Sequence, residues 1–351
     1  MVKRIGRIDG VKLYDIIKSR DNVEKAVKEA CRDHARDPAV IHIRENPDKY
    51  VDAVCDILER ETYYPSGFKF KRIFERGKWR NLCYTRTFPD RIIHHAIFRV
   101  IAPILMKGAI RDTYAAIPGK GLHLGTRNIH KDLVKDVKGT RYVFKMDIYH
   151  YFDSIKRTLL FEMLTKRLKC RCTLSLLAVI IFQCPGEDGL PIGLYSSQIL
   201  SAFYLFGFDH YCKERLRLKK YARYADDIVF MGDSKRMMWR YFEFIRRYLL
   251  KIGLNVKSNY ALFPIEKRRL DFMGYVHDHS QIMIRKRNKI SYTRVCNNIV
   301  RKLRRKEPIT GHDLMSMNSY EGMLSWCDSK PLIEKYSGRV WNAIDFGVEA
   351  I

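Results

Sequence analysis

Hydrophobic positions recur at helical spacing through the first part of the chain. The apolar residues between positions 51 and 58 are one example, and helices are predicted within residues 21–62. Residues 68–88 are aromatic and rich in β-forming residues, with the turn sequence RGK near their middle, which predicts a hairpin. Further helices are predicted over residues 89–107 and 121–137, the second after a turn in the sequence IPGKG.

The central part of the chain alternates short strands with apolar helices. Residues 141–148, RYVFKMDI, form a predicted buried strand with an acidic residue near its end. Helices are predicted to follow as far as about residue 182, before a loop rich in Gly and Pro at 184–193. Residues 194–208, LYSSQILSAFYLFGF, are apolar on nearly every face, which predicts a buried helix.

A second strand-rich segment precedes a basic C-terminal part. Residues 219–234, KKYARYADDIVFMGDS, predict two strands with a pair of acids at the turn between them. A helix is predicted over 235–253 and a further strand over 268–277, and the chain is basic and mostly helical from Ile284 onward. No repeat, low-complexity tract or Gly/Ser linker interrupts the pattern, so the parts are expected to pack as one continuous body.

Charge adds the first functional constraint. The 351 residues include 66 Lys or Arg against 39 Asp or Glu, a net charge of +27. Such an excess favours a polyanionic partner, most often nucleic acid, over the alternatives of a basic ribosome-associated or membrane-surface protein. The nine cysteines contain no CxxC pair, which argues against a disulfide framework and a zinc site. With no signal-like apolar region and no apolar run of about 20 residues, a cytoplasmic protein without a membrane partner is expected.

Three acidic residues lie at the ends of predicted apolar strands. Asp147 ends one strand, and the adjacent Asp226 and Asp227 occupy the predicted hairpin turn. Neighbouring carboxylates are costly to bury unless cations pair with them. Hard divalent ions such as Mg²⁺ prefer oxygen ligands, and two such ions about 4 Å apart support phosphoryl transfer. A solvated turn is the alternative, because Asp is common in turns.

Taken together, the motifs resemble those of bacterial reverse transcriptases. KMDIYHYFDSI resembles the first palm motif, GLPIGLYSSQ the second, YADD the third and LDFMGY the primer-grip hairpin. GKWRNL and DRIIHHAI resemble the fingers, and TYAAIPGKGLHLG the segment between fingers and palm. The resemblance implies an α+β fold of the right-hand polymerase type, with an antiparallel palm sheet and a helical thumb. It implies an N-terminal helical extension at 1–65, fingers at 66–140, palm at 141–276 and thumb at 277–351.

The resemblance also implies roles for individual residues. The catalytic and metal-binding acids are Asp147, Asp226 and Asp227, joined by the backbone carbonyl of Ile148, with two Mg²⁺ ions that Mn²⁺ can replace. The implied dNTP site consists of Lys78, Arg80, Phe152, Ile192, Gly193 and Gln198. Phe152 is the implied sugar gate, whose ring excludes a 2′-hydroxyl. The implied primer grip consists of Phe272, Met273, Gly274 and Tyr275.

Cations outside the palm are the implied nucleic-acid contacts. Arg91 is implied to hold template or triphosphate, with a surface position at a helix start as the alternative. Residues 285–306 carry ten Lys or Arg and no acid, so a thumb helix that follows the phosphates is implied and a solvated basic face is the alternative. The implied contacts there are Arg301, Lys302, Arg304 and Arg305.

One departure from the common motifs narrows the resemblance. The second palm motif reads IGxxxSQ where QGxxxSP is common, and this variant resembles the reverse transcriptases of diversity-generating retroelements. Those enzymes copy a template RNA into cDNA with errors at adenines, usually together with a small basic multimeric accessory protein. The alternatives are an antiphage defence reverse transcriptase acting on a dedicated non-coding RNA and a non-catalytic RNA-binding scaffold. The fourth motif has Tyr260 where lysine is common and Lys257 three positions earlier, which leaves the general acid open.

Overall fold

The computed structural model describes residues 4–32, 34–75 and 77–345, and for Glu75 the backbone alone. Arg76, in the predicted RGK turn, lies outside the described residues. The helices are α1 Leu13–Lys18, α2 Arg20–Ala30, α3 Pro38–Glu45, α4 Pro47–Glu59, α5 Ile92–Met106, α6 Leu122–Lys135, α7 Tyr151–Ser154, α8 Arg157–Thr165, α9 Arg171–Phe182, α10 Tyr195–Tyr204, α11 Phe206–His210, α12 Lys235–Lys251, α13 Lys286–Arg304, α14 Gly311–Leu324 and α15 Lys330–Asp345. The strands are β1 Arg7–Ile8, β2 Val11–Lys12, β3 Phe68–Glu75, β4 Lys78–Thr85, β5 Tyr142–Asp147, β6 Lys220–Tyr224, β7 Asp227–Gly232, β8 Ala261–Pro264, β9 Leu270–Phe272, β10 Tyr275–His277 and β11 Ile282–Ile284.

These elements form two compact units. The first comprises Met1–Ile117, Asp147–Arg217 and Phe242–Ser258, and the second comprises Pro118–Met146, Leu218–Tyr241 and Asn259–Ile351. In the first unit α5 is buried along nearly its whole length and packs against α2 and α10. This burial follows from its composition, because nearly every position of α5 is apolar.

The second unit is built on a four-stranded sheet in the order β6-β7-β5-β8. β7 pairs with β6, and β5 pairs with β8, in antiparallel register. Buried apolar side chains line the two central strands, where the rings of Phe144 and Phe230 stack with centroids 4.9 Å apart. A separate sheet in the order β11-β10-β9 leads into α13, whose buried face packs with α14 and α15.

Most predicted elements are confirmed. The hairpin of β3 and β4, the strand β5 and the hairpin of β6 and β7 all lie where the sequence predicts them. The region 21–62 resolves into three helices, since the Pro residues that open α3 and α4 each start a new helix. No helix in the described part of the chain combines the length and the apolar character needed to cross a bilayer.

Two predicted elements are wrong in detail. The single helix expected over 194–208 is divided at Leu205 into α10 and α11. The hydrophobic pattern over 268–277 predicted a single strand, but the segment is a hairpin, as its resemblance to the primer-grip hairpin implied. Met273 (φ 49°) and Gly274 (φ 85°) reverse the chain between β9 and β10. The N-terminal β1–β2 hairpin and the short strands β8 and β11 were not predicted.

Candidate active site

The paired acids lie at a tight turn of the four-stranded sheet. Tyr224 pairs with Asp227, so Ala225 and Asp226 form a two-residue connection between β6 and β7. Ala225 has a φ of 54°, a conformation that L-residues rarely adopt. The fully buried Arg223 donates from Nη1 to the Ala225 carbonyl oxygen at 3.0 Å. This bond from a buried side chain therefore fixes the turn. Both carboxylates are half-buried at this edge of the sheet.

Asp147 is the last residue of β5, the strand beside β7 in the sheet. The stacked rings of Phe144 and Phe230 mark where these two strands come side by side. Asp147 lies three positions after Phe144 in β5, and Asp227 lies three positions before Phe230 in β7. The sheet order thus gives two adjacent strands that each carry a carboxylate three positions from this ring pair.

The chain after Asp147 is held by a short antiparallel bridge within the first unit. Lys257 N donates to the Asp147 carbonyl oxygen at 2.9 Å, and Tyr149 N donates to the Asn255 carbonyl oxygen at 2.7 Å. These bonds flank the pair formed by Ile148 and Val256. In such a pair the two residues turn their own N–H and C=O groups away from each other. The bridge therefore leaves the Ile148 carbonyl directed to the opposite edge of its strand.

Phe152 and Tyr151 occupy different environments on α7. Tyr151 is 3% exposed, and its hydroxyl donates to the Ser201 carbonyl oxygen. Phe152 is half-buried, and its carbonyl oxygen accepts from Leu190 N at 2.8 Å. One of the two aromatic residues is therefore a core residue. The other lies beside the loop that carries Ile192 and Gly193.

A buried arginine organises that loop, and sequence reasoning did not find it. Arg157 is 3% exposed, and its guanidinium donates to the carbonyl oxygens of residues 184, 185, 186, 188 and 189. The distances lie between 2.6 and 3.2 Å. Burying a guanidinium is costly unless its donors are satisfied, and here the loop backbone satisfies them. A single side chain thus fixes the path of the Gly/Pro-rich loop.

The end of the loop is attached to the β3–β4 hairpin. Cys83 N donates to the Ile192 carbonyl oxygen at 2.7 Å. Gly193 has a φ of 117°, and a Cβ at this position would lie 2.4 Å from the Cys83 carbonyl oxygen. Only glycine fits such an approach without a shift of the backbone. Ile192 is half-buried here, whereas Gly193 and Gln198 are exposed.

The two faces of the β3–β4 hairpin differ in character. The register pairs Lys69 with Tyr84, Lys71 with Leu82 and Ile73 with Arg80, and cross-strand partners share a face. Lys78 belongs to the same face as Arg80, since alternate residues of a strand point the same way. The predicted cations Lys78 and Arg80 are thus accompanied by Lys69 and Lys71, which sequence reasoning missed.

A cleft of about 1170 Å³ lies next to this basic face, inside the first unit. Of the predicted residues it contains Arg91, Gly193 and Gln198. Further cations and aromatic residues in its lining are Lys69, Lys71, Arg86, Tyr50, Tyr84, Phe88 and Tyr195. Cations that neutralise phosphates and aromatic rings that stack on bases are the usual lining of single-strand channels. Lys78, Arg80, Phe152 and Ile192 are not among its lining residues.

Two adjacent histidines of α5 form part of the cleft wall. The Nδ1 of the buried His94 lies 3.1 Å from the Ser196 hydroxyl, and the ring of His95 stacks on Tyr195 at 4.4 Å. Burial, together with the neighbouring His95, lowers the pKa of His94 to about 4. His94 is therefore neutral near pH 7, and it joins α5 to α10 as a hydrogen-bonding group rather than as a charge.

The predicted primer-grip residues divide into core and turn. Phe272 and Tyr275 are fully buried, and the Tyr275 hydroxyl donates to the Met323 carbonyl oxygen at 2.9 Å. Met273 and Gly274 form the turn between β9 and β10. Met273 is also buried, with 8% of its surface exposed, so Gly274 is the one half-buried residue of this segment.

The basic residues at the end of α13 are not equivalent. Lys302 Nζ donates to the Asp313 carboxylate at 2.7 Å, and Asp313 also caps the start of α14 with Thr310. These contacts hold the pKa of Asp313 well below its ordinary value. Lys302 therefore has a structural partner at the start of α14. Arg301, Arg304 and Arg305 are exposed.

No group of three or more His, Cys, Asp or Glu side chains among residues 4–32, 34–75 and 77–345 is close enough to form a metal site by itself. The donors on β5 and in the β6–β7 turn are nevertheless all oxygen atoms: the carboxylates of Asp147, Asp226 and Asp227. Hard divalent cations take such donors, and Mg²⁺ commonly completes its shell with substrate phosphates and water. The chemistry of the donor set fits Mg²⁺.

Comparison with known proteins identifies the family. The model of the family "Reverse transcriptase (RNA-dependent DNA polymerase)" matches residues 69–277, more than half of the chain, and the chain belongs to this family. The predicted α+β polymerase fold class is thereby confirmed, and the predicted class of enzyme agrees with this family. The predicted subdomain boundaries and the roles of individual residues remain predictions.

Among solved structures the chain is similar to fungal telomerases. Telomerase from Candida albicans in complex with a TWJ fragment of telomeric RNA is 12% identical over 73% of this chain and 54% of that chain, with a TM-score of 0.48. Apo telomerase from Candida tropicalis is 12% identical over 68% and 52%, with a TM-score of 0.47. The chain thus spans about half the length of these structures. No curated protein matches.

Proposed function

We propose that the protein is an RNA-directed DNA polymerase that extends a primer 3′-hydroxyl on an RNA template with dNTPs. The observation that carries the proposal is the sheet order, in which the strand ending at Asp147 lies beside the strand beginning at Asp227. Family membership supports it, because this chemistry defines the family. The net charge of +27 supports a polyanionic template.

Within this proposal Asp147, Asp226 and Asp227 hold two Mg²⁺ ions, with Mn²⁺ as a substitute, and the Ile148 carbonyl supplies a further oxygen. Bound ions of this kind lower the pKa of the attacking hydroxyl and stabilise charge on the leaving group. The chain's own contribution is rigidity. Arg223 fixes the turn under Asp226, and the bridge to residues 255–257 fixes the backbone at Ile148.

The nucleotide is proposed to bind on the side of the first unit. Lys78 and Arg80, with Lys71 on the same hairpin face, are proposed to neutralise triphosphate charge. The backbone of Phe152 is bonded to Leu190 in the loop that leads to Ile192 and Gly193, and its half-buried ring is proposed to exclude a 2′-hydroxyl by bulk. The cleft that contains Arg91 and Gln198 is proposed to hold the template strand next to the nucleotide.

The nucleic-acid product is proposed to contact residues of the second unit. The primer backbone is proposed to contact the turn at Gly274, while the buried Phe272, Met273 and Tyr275 support that turn from the core. The proposed phosphate contacts at the end of α13 are Arg301 and Arg304 in the helix and Arg305 directly after it, because Lys302 is engaged with Asp313.

The favoured biological role is cDNA synthesis in a diversity-generating retroelement. Its support is the sequence IGxxxSQ, which places apolar Ile192 where a glutamine is common. Isoleucine has no hydrogen-bonding group with which to test the geometry of a nascent base pair. A small basic accessory protein and a cytoplasmic location belong to the same proposal.

The experiment that tests the polymerase compares wild type with Asp226→Asn on a primed RNA with labelled dNTPs and Mg²⁺. We expect incorporation to fall at least about 100-fold in the variant, because it removes a carboxylate charge from the ion site. Binding of the same RNA should persist, since Asp226 lies in a turn rather than in the core. Near wild-type extension by the folded variant would refute the assignment of Asp226, and no incorporation by wild type would favour a non-catalytic scaffold.

The biological role needs its own measurement. Sequencing of cDNA made by the wild-type enzyme on its native RNA, with its native partners present, would show errors concentrated at template adenines. Accurate copying of adenine would contradict the retroelement role and favour a defence enzyme that copies a dedicated non-coding RNA.

A further inference from the structure

The face of the β3–β4 hairpin that is opposite its basic face carries an exposed aromatic patch. Phe70, Phe74 and Trp79 share this face in the antiparallel register and are 59%, 62% and 59% exposed. The rings of Phe74 and Trp79 are 5.2 Å apart. Exposed contiguous apolar surface on a folded protein marks an interaction site more often than chance.

A cation is part of the patch. The Arg72 guanidinium lies over the Trp79 ring, with its Cζ 4.7 Å from the ring centroid. Such an arrangement holds the indole in place and puts a positive charge beside the aromatic surface. The sequence of the hairpin, residues 68–85, contains six Lys or Arg and one acidic residue. The patch is thus an aromatic surface in a strongly positive field.

We propose that this outer face of the hairpin, Phe70, Arg72, Phe74 and Trp79, binds single-stranded RNA. Exposed rings on a β-surface stack on unpaired bases, and neighbouring cations neutralise the phosphates between those bases. Phe70 and Phe74 are four residues apart on one strand, a separation of about 13 Å that leaves room for more than one base. The occupant is single-stranded, because paired bases offer no face for stacking.

Charge argues against the other occupants. A second copy of the chain would bring two hairpins of the same strong positive charge together, and each chain has a net charge of +27. A protein partner would need acidic groups to match Arg72. The segment of RNA that reaches this face is proposed to be template not yet copied, and this identification rests on the proposed polymerase function.

The test measures binding of a labelled single-stranded RNA and of a duplex RNA of equal length. The double variant Phe74→Ala, Trp79→Ala is expected to lose about tenfold to 100-fold in affinity for the single strand, on the scale of one lost stacking contact or more. Affinity for the duplex should change less than threefold. Trp79→Phe keeps an aromatic ring and is expected to stay close to wild type.

Salt dependence separates stacking from charge. The aromatic double variant should keep the wild-type slope of log affinity against log salt, because it removes no phosphate contact. Arg72→Gln should reduce that slope by about 0.7. The matched control is Phe182→Ala, which truncates another exposed aromatic residue, one that packs on Phe161 of α8, and should bind both RNAs like wild type.

Several results would overturn the proposal. Unchanged single-strand binding by the folded double variant would exclude the face as an RNA site. Loss of self-association in the variant, measured by sedimentation, would instead assign the face to a contact between copies. A template with an overhang of only one or two nucleotides is expected not to reach this face, so the Phe74→Ala, Trp79→Ala variant should incorporate dNTP on it at the wild-type rate. A slower rate on this template would overturn the proposal. A wild-type enzyme that incorporates nothing would refute the proposed polymerase while leaving the binding comparison intact.

Discussion

Replacement of Gly193 by alanine tests how closely the loop and the hairpin must approach. A Cβ at Gly193 would lie 2.4 Å from the Cys83 carbonyl oxygen, about 1 Å inside ordinary contact. That oxygen belongs to the backbone and cannot rotate away like the end of a side chain. The neighbouring bond from Cys83 N to the Ile192 carbonyl oxygen, 2.7 Å long, would have to lengthen as the loop moves.

The magnitude follows from two separate costs. Alanine at a φ of 117° is strained by about 1–3 kcal/mol, because its Cβ disfavours this conformation. Overlap with the Cys83 backbone, which cannot move without disturbing β4, adds about 1–3 kcal/mol. Gly67 supplies a matched control, because its φ is 116° and nothing lies within 4 Å of the position that a Cβ would take there. Gly67→Ala should therefore show the strain alone.

The assay is urea unfolding of the two variants, followed by steady-state dNTP incorporation. We expect Gly193→Ala to lose about 1–3 kcal/mol more unfolding free energy than Gly67→Ala. We also expect a higher KM for dNTP only in Gly193→Ala, since its loop carries Ile192 and adjoins Phe152. Equal stability of the two variants, or an unchanged KM in Gly193→Ala, would refute the view that this approach positions the nucleotide site.

Three further predictions concern the proposed nucleotide-binding residues Phe152 and Ile192 and the buried His94. Phe152→Ala should relax the rejection of ATP against dATP in a competition assay, and unchanged rejection would place the sugar gate elsewhere. Ile192→Gln should lower misincorporation opposite template adenine about tenfold, because a polar group left unpaired by a misfit costs about 1–1.5 kcal/mol; unaltered error rates in sequenced cDNA would contradict this. The pKa of His94 is about 4 in the folded protein against 6.5 ordinarily, so stability is full above pH 6.5 and falls as pH drops toward 4, by about 2 kcal/mol between pH 7 and pH 5. Urea midpoints at both pH values should show a smaller pH effect in His94→Gln, and an equal effect in both proteins would assign the acid sensitivity to other groups.

The sequence predicted where the acids lie on the strands because the residues around them are distinctive. Asp147 and Asp227 each adjoin a short apolar run of the kind that predicts a buried strand, and the structure puts those runs side by side as β5 and β7. The hairpin at 68–85 could also be predicted from the sequence, because a turn sequence separates two β-rich segments. Short-range patterns of this kind are visible without knowing what lies across the fold.

Features that depend on distant partners could not be predicted in the same way. Arg157 looks like any helical arginine, and its role appears only because the loop at 184–189 folds over it. Lys302 belongs to a basic run, and nothing in that run shows that Asp313 will pair with it. Lys71 became a candidate only when the register placed it on one face with Arg80. In each case the information lies in a contact between segments, not in the spacing of one segment.

Several strained backbone positions lie beside the predicted site residues. His150, Ala225 and Met273 all have a positive φ without being glycine, and each adjoins a segment predicted to act in catalysis or primer binding. Such conformations cost about 1–3 kcal/mol each and persist only where the surroundings hold them. At Ala225 the holder is the buried Arg223, whose bond to the Ala225 carbonyl oxygen fixes the turn that presents Asp226. The position of the Asp226 carboxylate therefore depends on the buried Arg223. A substitution at Arg223 should displace Asp226, although every predicted catalytic residue would still be present.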